Sequence, residues 1–144
     1  MKDVLDKPVT RRRAVAQAWL SLPAEVMQRL RERRVDKGDA LEIARAAAFL
    51  AAKRTPELLP LCHPLLIEHS AVHYEFEPAR LRIEVTVETS ARTGVEMEAL
   101  TAAGIAALTL YDLLKPHAGT ALRIDGLELM EKTGGKQDFR RLPA

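Results

Sequence analysis

The order of apolar and polar positions divides the chain into extended and helical stretches. Residues 1–13 show no apolar periodicity and read as an extended arm carrying Arg11, Arg12 and Arg13. Ala14 to Leu20 alternates weakly and predicts a first strand. Pro23 suits a helix start, and Val26, Met27 and Leu30 then fall on one side while Arg29, Glu32 and Arg33 occupy the other, to an end near Val35. Asp39 opens a second helix, because its carboxylate accepts from free backbone N–H groups and Glu42 completes a capping box; Thr55-Pro56 stops it. Pro56 to Pro64 reads as a loop, with Leu58, Leu59 and Leu61 packing it onto the body. Val72, Tyr74 and Phe76 alternate within Ser70 to Glu77, and after the Pro78-Ala79 turn Leu81, Ile83, Val85 and Val87 alternate with Arg82, Glu84, Thr86 and Glu88, which predicts a hairpin. Residues 95–115 are helical and closed by Pro116. Leu122 to Lys132 gives a last strand, bulged at Asp125-Gly126, before a flexible tail over 133–144.

Strand, helix pair, two hairpin strands, helix, strand is the split βαβ plan, so the predicted fold is α+β, a ferredoxin-like sandwich with one additional helix and an antiparallel sheet. At 144 residues and 47% hydrophobic, the chain is expected to form a single domain over 1–144. Helices on one side leave the other sheet face open, a natural place for self-association. A net charge of +2 is too small for a protein that coats nucleic acid, and 4% aromatic residues leave few stacking platforms. The sole cysteine, Cys62, has no internal disulfide partner. The charged N-terminal residues do not resemble a secretory signal, and the apolar run from Ala99 to Tyr111 is too short to span a bilayer, so a cytoplasmic protein without a membrane partner is expected. Charge is uneven: residues 1–54 carry 13 basic and 7 acidic side chains, whereas 55–144 carry 9 and 13. An anion meeting the first part, and neutralisation within the fold or an oligomer, both account for this.

Few residues are candidates for chemistry. Cys62 and His63 come with His69 and His73, but the last two, four apart on a strand, lie about 13 Å from each other, so no metal site is predicted. Prolines on both sides hold His63, which presents an imidazole able to exchange a proton near neutral pH or simply a satisfied core histidine. Asp112 and Lys115, three apart, share a helix face beside Leu108, Leu110, Leu113 and Leu114; a surface ion pair is the competing reading. Glu96 and Glu98 flank Met97, and Glu98 lies about 21 Å from Asp112 along a helix, too far for both to flank one reacting bond in one subunit. Either one acid is structural, or the ligand is extended, or two chains contribute the two ends. Lys37 precedes a helix N-terminus that already favours an anion such as phosphate. Arg11 to Arg13, Lys53-Arg54, Lys132 and Lys136 add phosphate-capable groups, without a Walker-type loop.

Several words in order then carry a resemblance over nearly the whole chain: Lys7-Pro8-Val9-Thr10-Arg11-Arg12, Lys37-Gly38-Asp39, Ala51-Ala52-Lys53-Arg54-Thr55, Pro60-Leu61-Cys62-His63-Pro64, Thr93-Gly94-Val95-Glu96-Met97-Glu98-Ala99-Leu100-Thr101, Ala106-Ala107-Leu108-Thr109-Leu110-Tyr111-Asp112 and Gly134-Gly135-Lys136. The chain resembles the molybdenum-cofactor biosynthesis protein C family, the cyclic pyranopterin monophosphate synthases. The resemblance implies a ferredoxin-like homo-hexamer, a trimer of dimers with pockets between subunits. It also implies a lyase that rearranges 3′,8-cyclo-7,8-dihydroguanosine 5′-triphosphate to cyclic pyranopterin monophosphate with loss of pyrophosphate. By position Asp112 is similar to the catalytic acid/base, Lys37 and Lys115 to catalytic lysines, and Leu61, Cys62, His63, Met97 and Glu98 to substrate contacts; Arg12, Glu96 and Lys132 match further pocket positions. No cofactor is assigned, and the sequence leaves open whether magnesium accompanies the triphosphate. Pro116 departs from the family pattern where alanine is usual, and is expected to fix the helix end and shift Lys115. The tail around Lys136 is one residue shorter than usual. A non-enzymatic nucleotide-binding or regulatory module on the same fold is the alternative, and a small RNA-binding domain, with Tyr74 and Phe76 as its stacking residues, a third.

Overall fold

The computed structural model describes residues 1–142. Five strands form one antiparallel sheet in the order β2-β3-β1-β4-β5. The elements run β1 (Thr10–Ser21), α1 (Ala24–Arg31), α2 (Ala40–Leu58), β2 (His69–Phe76), β3 (Arg80–Ala91), α3 (Glu96–Ala118), a short 3-10 turn, β4 (Arg123–Thr133) and β5 (Phe139–Arg140). This is the ferredoxin-like α+β arrangement, with α1 as the additional helix.

Alternation decides which sheet face meets the helices. On β1, Ala14, Ala16, Ala18 and Leu20 are fully buried, and on β3 so are Leu81, Ile83, Val85 and Val87. The helices answer with small residues: Ala99, Ala102, Ala103, Ala106 and Ala107 of α3, and Ala44, Ala48 and Ala52 of α2, are all essentially inaccessible. Alanine against alanine brings backbones close, and the large side chains Leu110, Leu114, Met27 and Leu30 fill the margins. The chain from α2 to β2 is fastened to the end of β3: Thr89 Oγ1 donates to the Leu66 carbonyl and, at 3.0 Å, to Glu68 Oε1, while the Ser90 N–H donates to the same carboxylate at 2.7 Å.

Several element ends differ from the sequence expectation. Strand β1 takes in Thr10–Arg13, which the arm was expected to hold, because these residues pair with Ala91 to Glu88 of β3 and leave no periodic apolar signal of their own. Both helix-stopping prolines lie inside helices, Pro56 in α2 and Pro116 in α3. A proline forfeits one helical hydrogen bond, and packing on both sides outweighs that local cost. The predicted bulge at Asp125-Gly126 is present, as a register shift between Gln17 and Trp19 of β1 opposite Asp125 to Glu128. The expected tail contains β5, paired to Glu131 and Lys132 of β4, and its residues 143 and 144 lie outside the described residues. Helix α3 with its 3-10 turn is longer than the apolar run suggested: Glu96–Ala121 is long and apolar enough to cross a membrane, yet half of that window is buried inside the protein, as befits a core helix.

Candidate functional site

The predicted site residues fall at the two ends of α3. At its C-terminal end Lys115 Nζ sits 2.9 Å from Asp112 Oδ1, with both side chains more than half exposed. The hydrogen bond and charge of Lys115 hold the Asp112 carboxyl below the usual carboxylate range, and the Lys37 ammonium lowers it further. Lys37 thus belongs to this cluster, although the sequence places it on another loop. It is carried there because α2 runs antiparallel to α3, so the turn that opens α2 meets the end of α3. Asp39 caps α2 through its side chain, accepting from the Glu42 N–H at 3.4 Å. Of the four leucines expected to ring the Asp112–Lys115 pair only Leu108 is exposed, and Leu110, Leu113 and Leu114 turn into the core. Pro116 does not end the helix, and Lys115 keeps its partner; the proline leaves the Asp112 carbonyl without its ordinary helical donor.

At the N-terminal end Glu98 is 4% exposed, and its Oε2 has no hydrogen-bond partner. Burial pushes its carboxyl up to about 7, with a smaller push from the Glu96 charge. Cys62, partly buried and free, is raised by burial and by the Glu98 charge, which puts thiol and carboxyl in one neighbourhood. The two glutamates point apart, as residues two positions apart on a helix do: Glu96 folds its carboxylate back over Gly94, where a Cβ would come within 2.0 Å of Oε1, while Glu98 turns inward. Met97 is exposed between them, as is Leu61 on the adjoining loop. His63 Nε2 donates to the Lys2 carbonyl at 2.7 Å, which puts the ring proton on Nε2 and leaves Nδ1 as an acceptor in the neutral ring.

Arg12 and Lys132 reach the same end of the sheet. Arg12 is buried and donates to the carbonyls of Ala91 (3.4 Å) and Arg92 (3.2 Å), just before α3 begins. Its guanidinium also lies against Gly135, where a Cβ would meet Nη1 at 2.9 Å. Lys132 lines a small cavity of about 370 Å³ with Gln137, Asp138 and Arg141. A broad concave space of about 1090 Å³ occupies the open sheet face between Arg13, Gln17, Arg82 and Glu128, and of the candidates named from the sequence only Arg13, a phosphate-capable group, lines it. His69 and His73 both stand on β2, and among the described residues no three His, Cys, Asp or Glu side chains gather as a metal site. The structure also brings in a residue that sequence reasoning passed over. His117, with its side chain 8% exposed, accepts from the Asp36 N–H through Nε2 at 3.4 Å, and the Asp36 carboxylate lies 3.8 Å away. The 81 positions between them leave no sequence signal for that pairing.

The comparison with known proteins decides the family. The model of the MoaC family matches residues 1–135. The chain belongs to the MoaC family. Among its relatives, the cyclic pyranopterin monophosphate synthase of Thermomicrobium roseum is 51% identical over 138 residues, covering 94% of this chain and 82% of that protein. The synthase of Corynebacterium efficiens is 48% identical over 136 residues, covering 94% and 87%. A molybdenum cofactor biosynthesis bifunctional protein of Synechococcus elongatus is 47% identical over 148 residues, spanning 100% of this chain but 46% of its own length. This MoaC-family chain therefore matches less than half of the bifunctional protein and more than four-fifths of each of the other two.

Proposed function

We propose that this chain is a cyclic pyranopterin monophosphate synthase, converting 3′,8-cyclo-7,8-dihydroguanosine 5′-triphosphate to cyclic pyranopterin monophosphate and pyrophosphate in molybdenum cofactor biosynthesis. The observation that carries the reading is the Lys115–Asp112 ion pair at the surface, with the Lys37 charge near enough to lower the same carboxyl. The cyclic phosphate forms when a ribose hydroxyl attacks the α-phosphorus: the new P–O bond forms, the bond to the β-phosphate oxygen breaks, and the hydroxyl proton passes to a base. Lys37 binds the departing phosphates and offsets their charge. Lys115, held by Asp112, takes part in proton transfer, with the ionised Asp112 as the acid/base partner. A nucleotide-binding module without catalysis does not need this pairing and is not favoured by the family.

The other end of α3 supplies the contacts to the rest of the substrate: Leu61, Cys62, His63, Met97 and Glu98, with Glu96, Arg12 and Lys132 beside them. Glu98, protonated over much of the acidic range, donates a hydrogen bond or accepts one as its partner requires. One chain holds these two ends about 21 Å apart along the helix. We place the complete pocket between chains, in the homo-hexamer, a trimer of dimers, that the resemblance implies, and the separation along the helix is in keeping with it. The exposed Leu61, Met97 and Leu108 (70%, 40% and 56% accessible) support burial against another copy. Magnesium enters with the triphosphate oxygens rather than as a resident ion. We place the reaction in the cytoplasm, where the nucleotide pool supplies its substrate.

The test is pyrophosphate release from the cyclic nucleotide by purified protein. Asp112→Asn, Lys115→Ala and Lys37→Ala are each expected to lower turnover at least about 100-fold while melting with the wild type, since these side chains are exposed. Wild-type protein that releases no pyrophosphate, or variants that keep full turnover, would overturn the assignment.

A further inference from the structure

We infer that His117 is a positioning residue for Lys37, tying the loop between α1 and α2 to the C-terminal end of α3 so that the Lys37 ammonium stays near the Asp112–Lys115 pair. The inference rests on the synthase reading for its consequence in turnover, but the tie itself is a matter of geometry.

The loop is shaped locally. Arg33 takes a left-handed φ of 58° and Gly38 one of 114°, two reversals that turn the segment back on itself. The Gly38 N–H closes a turn onto the Val35 carbonyl at 3.1 Å, and Val35 anchors in the core. Arg33 pairs with Asp39, Arg34 with Glu32, and Arg29 donates to the Arg34 carbonyl at 3.2 Å. All of these polar partners lie within the loop or on the helix ends that adjoin it. They fix its curvature without fixing where its tip lies relative to α3. Among the described residues, Asp36 makes the polar contact that crosses: its N–H points at His117 Nε2, and its carboxylate lies beside the same ring.

Three features make this contact consequential for Lys37. Asp36 is the residue before it, so the tie acts one peptide from the ammonium's own backbone. His117 lies two residues beyond Lys115 and five beyond Asp112 on the same helix, with the rigid Pro116 ring between, so its position follows theirs. Its ring is shielded from solvent while Asp36 is open to it, so the ring nitrogen is the fixed end of the contact and the loop is the end that can leave. At 3.4 Å the bond is long, and the Asp36 carboxylate 3.8 Å from the same nitrogen is a contact of the protonated ring, an alternative to the amide bond that ties the same two residues. Releasing the loop lets the Lys37 ammonium move away from the carboxylate, and a displacement of about 1 Å is enough to cost up to about 100-fold in rate.

His117→Leu keeps the bulk and removes the acceptor, while His117→Gln restores an acceptor oxygen at similar reach. In the intact protein, His117→Leu is expected to lower kcat/KM for pyrophosphate release roughly 10- to 100-fold with its melting temperature little changed, and His117→Gln to recover most of the loss. Added to Lys37→Ala, His117→Leu is expected to change nothing further, because it acts through that lysine. A readout independent of turnover is the titration of the Asp112 carboxyl by NMR, expected to move up in His117→Leu as the Lys37 charge withdraws. The inference is overturned if Asp112 titrates unchanged in His117→Leu, if the losses from Lys37→Ala and His117→Leu multiply, or if His117→Gln fails to rescue a variant that has simply lost stability. Wild-type protein inactive on the cyclic nucleotide would sink the synthase reading alone, since the Asp112 titration still reports the tie.

Discussion

A buried carboxyl with an unpartnered oxygen is costly while charged, and Glu98 offsets the cost by keeping its proton up to about pH 7. Its folded value of about 7 stands above the ordinary 4.5, so between those two values the folded chain holds a proton that the unfolded chain has shed. Stability therefore falls as pH rises through that window and levels off above it. Glu98→Gln cannot ionise. Its stability relative to wild type, measured by urea midpoints, is expected to rise from about pH 5 to about pH 8 by on the order of 1–3 kcal/mol. A difference independent of pH would show that Glu98 is charged and satisfied in the folded chain. Asp112 is the opposite case. Exposed and beside cations, it stays ionised without stabilising the fold appreciably, so its replacement reads out in turnover. The two acids carry similar sequence surroundings, an apolar helix in each case, and only burial separates their roles.

At the scale of elements, the join between β1 and the turn after β4 is the least forgiving. Gly134 has a φ of 95°, and a Cβ there would lie 1.9 Å from the Arg11 carbonyl oxygen, a backbone atom that cannot swing aside. Thr10 Oγ1 donates to the Gly134 carbonyl at 2.7 Å, so the turn is fastened to the first residue of β1. Gly134→Ala is expected to cost about 1–3 kcal/mol in thermal or chemical unfolding and to loosen Arg12 next door; an unchanged melting temperature would mean the turn shifts freely. The sequence pattern could announce the glycines but not what they approach. It located every strand of the ferredoxin-like core because alternation over β3, and the Ala-Leu face of β1, are direct consequences of one face being buried. Helix ends were less legible. Pro56 and Pro116 are local stop signals, and tertiary packing of α2 against α3 carried both helices past them. Strand β5 was unreadable for the complementary reason: two residues, Phe139 and Arg140, pair with β4 and have too little pattern to detect.

On the scale of the whole molecule, the motifs name candidate residues and cannot show which of them meet. Lys37 joins Asp112 because two antiparallel helices bring distant loops together, and Cys62 joins Glu98 for the same reason at the other end. The remaining separation, about 21 Å between the ends of α3, leads to a prediction that a one-chain pocket does not share. A variant damaged at one end, Asp112→Asn, and a variant damaged at the other, Glu98→Ala, are each expected to be inactive alone. When the two are dissociated, mixed in equal amounts and reassembled, a pocket formed from the intact end of each chain is free of both lesions. Random pairing places the two variants together in about half of the dimers, and one of the two pockets in each such dimer is intact, so about a quarter of wild-type activity should return. If both ends belong to one pocket within one chain, every pocket carries a lesion and mixing recovers nothing. The mass of the assembly alone cannot make this distinction, because chains can associate through the open sheet face without sharing a site. Recovery of activity requires that the chemistry cross the boundary between copies.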